Sequence, residues 1–211
     1  MPLGEWVLER ACAQGEAWHR AGFEHLQISV NVSGRQFERR NFVEHVKRIL
    51  KKTSFNPKHL TLELVESVLL QRFDEAAGRF AQLRALGIRL ALDDFGTGYS
   101  SLAYLHRLTF DGIKIDRSFT QALSGVQQSR TLVSAALLIA QDFGMYAVAE
   151  GVETLEQARS LEARGCRFAQ GYLFAPPLTV EQASWVLQAG VLPREANASG
   201  STDARFGASL N

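Results

Sequence analysis

Six short apolar runs recur along the chain at helix-length intervals, over residues 26–32, 60–65, 88–93, 112–116, 146–150 and 167–172. Runs this short, bounded by turn residues, read as strands. Between them, Trp6, Val7, Ala11 and Trp18 predict a helix over about residues 4–21, and a polar stretch reaching Lys52 also reads as helical. Asn56-Pro57 marks a turn. A helix over about residues 73–86 stops at Gly87, another ends near Gly165, and a last one spans about 179–190. Strands alternating with helices in this way call for a parallel sheet with helices outside it.

Parity along the strands adds a constraint. Leu62 and Leu64 share one face while Thr61 and Glu63 share the other; Leu90 and Leu92 oppose Ala91 and Asp93; Ile113 and Ile115 oppose Lys114 and Asp116. One face therefore packs on helices, and the other carries polar groups near the C-terminal strand ends. That layout is the active face of a (β/α) barrel, with a doubly wound sheet as the alternative. A closed barrel needs eight strands, against the six found here.

The chain has 211 residues, 46% of them hydrophobic, with 23 basic and 22 acidic residues for a formal charge of +1. This suits a globular chain with one sizeable core, and the charge balance argues against a DNA or RNA polymer as partner. Cys12 and Cys166 lie far apart and are expected as reduced structural thiols. No apolar stretch reaches transmembrane length and the first five residues lack a signal peptide's basic start, so the expected location is the cytoplasm. The tail over residues 193–211 is small, polar and glycine-containing, and is expected to be disordered.

Asn31, Glu63, Glu66, Asp93, Asp94, Lys114, Asp116, Glu150, Glu153 and Gln170 are the candidates for chemistry. Carboxylates and amides without histidine form a hard-oxygen set, suited to Mg²⁺ or Mn²⁺ rather than Zn²⁺. Adjacent acids at Asp93-Asp94, closing an apolar run, are costly to bury without a cation. Acids gathered around such a metal usually serve phosphoryl chemistry, and Lys114 would stabilise developing charge or hold the attacking water. Lys114 and Asp116, two apart on one face, also allow a plain structural ion pair. The five histidines (19, 25, 45, 59 and 106) show no ligand-like spacing and read as surface or helix residues. Asp94-Phe95-Gly96 lacks the glycine-rich loop and HRD segment of a kinase, and Gly96-Thr97-Gly98 is not followed by the GK[ST] of a P-loop.

Several segments closely resemble the EAL-domain family of bacterial cyclic-di-GMP phosphodiesterases. They are Val30-Asn31-Val32-Ser33, Glu63-Leu64-Val65-Glu66, the ten residues from Asp93 to Leu102, Lys114-Ile115-Asp116, Glu150-Gly151-Val152-Glu153-Thr154 and Gln170-Gly171-Tyr172. The resemblance implies a modified (β/α)8 TIM-type barrel, here with about six of eight strands. It implies an EAL domain over residues 1–192 and hydrolysis of cyclic-di-GMP to linear pGpG with Mg²⁺ or Mn²⁺ at a two-metal site. By position, Asn31, Glu63, Asp93, Asp94 and Glu150 would hold metal. Lys114 would contact the attacking water and Gln170 would position water or phosphate. Glu66 would anchor the loop after Asp94, with Asp116 and Glu153 behind the ligands. Phe174 and Pro177 would contact the substrate's bases.

The resemblance further implies pairing of two copies through the loop after Asp94, and a sensory or GGDEF domain upstream in a longer protein. The Glu-Ala-Leu triplet that names the family does not occur in the chain. The family places it upstream of Leu3-Gly4-Glu5-Trp6, on the second of two further strands, so the domain is expected to be N-terminally incomplete. That glutamate is itself a metal ligand in the family, which leaves a second reading open: a non-catalytic cyclic-di-GMP receptor or protein-interaction module.

Overall fold

The computed structural model describes residues 3–65, 73–97, 102–124, 127–190 and 207–208. The chain divides into two compact units, Met1–Gly112 and Ile113–Leu210.

The first unit runs α1 (Leu3–Arg20), β1 (Ile28–Val32), α2 (Gly34–Phe37), α3 (Phe42–Thr53), a 3-10 turn (Pro57–His59), β2 (Leu60–Val65), α4 (Phe73–Ala85), β3 (Arg89–Phe95) and α5 (Leu102–Arg107). β1, β2 and β3 pair in parallel and in that order, with Ile28 opposite Leu60 and Leu62 opposite Leu90. Leu60, Leu62, Leu64, Leu90 and Leu92 are fully buried, as their shared parity requires. α3 shows why it docks: Val46, Ile49 and Leu50 are buried while Lys47, Arg48, Lys51 and Lys52 face solvent. Ion pairs also tie it to α1: the Glu5 carboxylate meets His45 and Arg48 of α3 at 3.1 and 3.7 Å and Arg39 just before it at 3.4 Å, and Lys52 pairs with Glu9.

The base of β3 is fastened by a residue from beyond α5. The Asp111 carboxylate accepts from the Leu90 amide and from Arg84 of α4, each at 2.9 Å, and the Asp111 amide donates to the Leu90 carbonyl at 2.8 Å. Asp111 thereby acts as a side-chain extension of the sheet's hydrogen bonding.

The second unit begins in β4 (Gly112–Ile115) and continues α6 (Arg117–Gln121), α7 (Gln127–Asp142), β5 (Tyr146–Ala149), α8 (Leu155–Glu162), β6 (Phe168–Ala169), α9 (Val180–Ala189) and β7 (Gly207–Ala208). β4, β5, β6 and β7 are hydrogen-bonded neighbours in that order, and β5–β6 and β6–β7 are parallel. α8 and α9 each open on a threonine capping box, Thr154 with Gln157 and Thr179 with Gln182.

One expectation is revised here. The run at 167–172 is a strand only over Phe168–Ala169, because the backbone from Gln170 turns to bond with the segment after β5. Of residues 193–211 only Gly207–Ala208 are described, as the two-residue β7 paired with β6. Both cysteines are free and buried, as expected; burial pushes the Cys12 thiol up to about 12 and raises Cys166 as well. No helix among the described residues is long and apolar enough to cross a membrane.

Candidate active site

In the first unit the candidate ligands converge on one sheet face. Asn31 lies opposite Glu63, Glu63 opposite Ala91, and Asp93 two residues further along β3, opposite Val65. All three therefore share a face at the C-terminal strand ends. Asn31 is exposed, whereas Glu63 and Asp93 are only 4% and 8% exposed. Two carboxylates withdrawn from water on adjacent strands, beside an exposed amide oxygen, form an oxygen-donor set that fits Mg²⁺ or Mn²⁺.

The end of β3 is shaped to present that set. Asp94 adopts φ +56°, a left-handed conformation uncommon for a residue with a Cβ. Its amide donates to Asp93 Oδ1 at 3.1 Å, which orients the buried carboxylate. The Asp94 carbonyl then accepts from Thr97, from the amide at 3.2 Å and from Oγ1 at 2.9 Å, closing a tight turn through Gly96. Strain concentrated where two acids adjoin is a usual mark of a functional turn. Glu66, expected to anchor the following loop, lies outside the described residues.

In the second unit Lys114 of β4 is 4% exposed and its Nζ lies 2.6 Å from Glu150 Oε1. The Glu150 amide donates to the Ile115 carbonyl at 3.0 Å, so the pair spans neighbouring strand ends. Asp116 instead caps α6. Its carboxylate accepts from the Ser118 amide at 2.9 Å and from the Ser118 hydroxyl. Burial raises this carboxyl, but the hydrogen bonds from Ser118 and Arg117 outweigh it and hold the group below the usual aspartate range. Glu153 is exposed beside Gln121 at 3.4 Å, just before the α8 cap.

Gln170 follows β6 and its backbone is held on both sides. Its amide donates to Ala149 at 2.8 Å, and its carbonyl accepts from Val152 at 3.0 Å. Gly171 makes that junction possible: a Cβ there would sit 2.2 Å from the Val152 carbonyl oxygen and 2.3 Å from its nitrogen. The Leu173 amide closes the junction onto Val152 at 2.9 Å, and Phe174 turns back onto Gly171 at 3.0 Å. Phe174 is half-buried and Pro177 exposed. The backbone thus sets Gln170 next to Glu150, although the two are far apart in sequence. Gly171 positions this junction and was not singled out from sequence; a glycine inside an otherwise strand-like run was the available signal.

The fold and this set of residues define an α/β domain of the partial TIM-barrel class with acids at its strand ends. The chain belongs to the EAL-domain family, which it matches over residues 1–177. It is 39% identical over 187 residues to the cyclic di-GMP phosphodiesterase NbdA of Pseudomonas aeruginosa, covering 89% of this chain and 24% of that protein. Among solved structures, the P. aeruginosa MucR phosphodiesterase in complex with c-di-GMP superposes with a TM-score of 0.83 at 40% identity, over 86% of this chain and 73% of that one. The Klebsiella pneumoniae BlrP1 complex with manganese and c-di-GMP gives 0.72 at 30% identity, over 82% and 44%. The chain spans about a quarter of the length of the curated relatives it matches.

Proposed function

We propose that this chain is a metal-dependent phosphodiesterase that opens cyclic-di-GMP to linear pGpG. The observation that carries the reading is the shared face of Asn31, Glu63 and Asp93, which holds two buried carboxylates at parallel strand ends. Family membership supplies the substrate class, since NbdA is a cyclic di-GMP phosphodiesterase and MucR was solved with c-di-GMP.

In this reading Asn31, Glu63, Asp93, Asp94 and Glu150 hold Mg²⁺ or Mn²⁺ in a two-metal site. Bound there, the ions would activate water and offset charge on the phosphate oxygens. Lys114 is a buried cation held by Glu150, so its ammonium is fixed in direction and can steer an attacking water. Gln170, locked by its backbone, offers an amide that can donate to a phosphate oxygen or accept from water. Asp116 keeps its carboxylate on α6 and fixes the chain just past Lys114, while Glu153 supports the start of α8 and Glu66 the loop after Asp94. Phe174 and Pro177 contact the guanine bases. The working domain runs to about residue 192, is cytoplasmic, pairs with a second copy through the loop after Asp94, and takes its input from a sensory or GGDEF domain.

A non-catalytic cyclic-di-GMP receptor or protein-interaction module is the second reading. Incubation with cyclic-di-GMP and Mn²⁺ separates the two. Metal-dependent pGpG that disappears in Asp93→Ala supports the enzyme; binding without turnover supports the receptor.

A further inference from the structure

At the opposite end of β1 and β2 from Asn31 and Glu63, three side chains that the proposed chemistry does not use lock together. Ile28 pairs with Leu60, so Gln27 and His59 face each other one register step earlier. Gln27 Nε2 lies 3.0 Å from His59 Nδ1 and 3.5 Å from the His25 carbonyl. His19, in the last turn of α1, sets its ring edge-on to His59 with centroids 4.7 Å apart. It also reaches the Leu26 carbonyl through Nε2 at 3.0 Å and packs on buried Phe55 at 5.1 Å.

The donor pattern identifies the state of the ring. An amide nitrogen has only hydrogens to offer, so with the Gln27 amide in this orientation the contact fits a neutral His59 ring, its lone pair on Nδ1 and its proton on Nε2. Reversing the amide would set Gln27 Oε1 against the His25 carbonyl, acceptor against acceptor. As placed, Oε1 is buried without a hydrogen-bond partner, so the Gln27 amide is held through its nitrogen alone. A proton on Nδ1 would turn this contact into donor against donor. Among the described residues, the charged groups acting on the ring are Lys58 from the 3-10 turn, Arg89 from β3 and, when it carries a proton, His19 from α1, each opposing a second proton on His59. The Leu26 carbonyl is what favours a proton among the described residues.

We propose that Gln27, His59 and His19 form a proton-sensitive latch, fastening the end of α1 and the start of β1 to the start of β2 while His59 is neutral and releasing them when it is protonated. Burial first, then the positive neighbours, hold His59 below its ordinary 6.5. A histidine depressed in the folded state contributes stability that is complete above the unfolded value. That stability is lost as pH falls through 6.5 toward the folded value. The latch is independent of the phosphodiesterase reading, because none of its three side chains belongs to the candidate site.

The test is ¹⁵N NMR of the histidine rings in the full chain, with thermal unfolding from about pH 7.5 to about pH 5.5. The latch requires an unprotonated Nδ1 on His59 at the upper pH and a titration midpoint below 6.5 that rises in His19→Gln. It also requires a steeper loss of thermal midpoint in the native chain than in His59→Gln. A proton on Nδ1 at the upper pH, a midpoint at or above 6.5, or equal pH slopes in the two proteins would overturn it. The ring spectrum of the native chain decides the matter even if His59→Gln does not fold.

Discussion

Lys114 and Glu150 meet as an ion pair with Nζ 2.6 Å from Oε1, the lysine side chain 5% and the glutamate side chain 19% exposed. The pair joins the end of β4 to the residue after β5. Desolvation makes each charge depend on the other, so the two are a structural unit as well as candidates for catalysis.

Removing either partner leaves a charge withdrawn from water. Lys114→Met or Glu150→Gln should each cost about 3–5 kcal/mol in urea unfolding, and the double variant less than the sum of the two. Additive single costs would show that the pair is not energetically coupled. Turnover should fall by about 10²–10³-fold in Lys114→Met.

Asp94 is held at φ +56°. Glycine adopts that conformation without the penalty of roughly 1–2 kcal/mol borne by a residue with a Cβ. Asp94→Gly should therefore be at least as stable as the native chain without metal, and Asp94→Ala should not. Both should bind Mn²⁺ more weakly by calorimetry. Stability and metal affinity moving in opposite directions is the signature of a strained ligand turn.

Gly171→Ala places a carbon against the Val152 backbone at 2.2 and 2.3 Å, where no side-chain rotation relieves it. The segments after β5 and β6 must separate, at a cost of about 1–3 kcal/mol or more. Differential scanning calorimetry should show a lowered midpoint. Faster amide exchange at Val152 and Leu173 would locate the damage at the junction.

Asp116 caps α6, and its depressed carboxyl gives the sign of its pH dependence. The contribution is present above the ordinary value of 3.8 and is lost as pH falls through the lower folded value. Asp116→Asn keeps a capping oxygen but not the charge, so it should be slightly less stable than the native chain near neutrality. The difference from the native chain should vanish in acid titration below the folded value. A constant offset at all pH values would assign the loss to packing.

The site face was legible because alternation is a local signal: Leu62 and Leu64 against Thr61 and Glu63 declare which side packs on helices. α7 was not delimited, since Leu132 to Ala140 contains one serine among apolar residues and shows no helical period. Partner choice was also hidden. Lys114 has Asp116 two residues away, yet it pairs with Glu150, and only the backbone link from Glu150 to Ile115 brings that carboxylate near. His59 read as a surface residue because its contact with Gln27 depends on the register of β1 against β2. The positions of the candidate ligands were therefore readable, while the hydrogen bonds that aim them were not.

The central claim is tested most directly by incubating the purified chain with cyclic-di-GMP and following pGpG by chromatography, with Mn²⁺ present and then chelated. The enzyme reading requires pGpG only with metal, and none from Asp93→Ala folded to the same extent. Saturable cyclic-di-GMP binding with no pGpG under either condition would contradict it and leave the chain as a receptor.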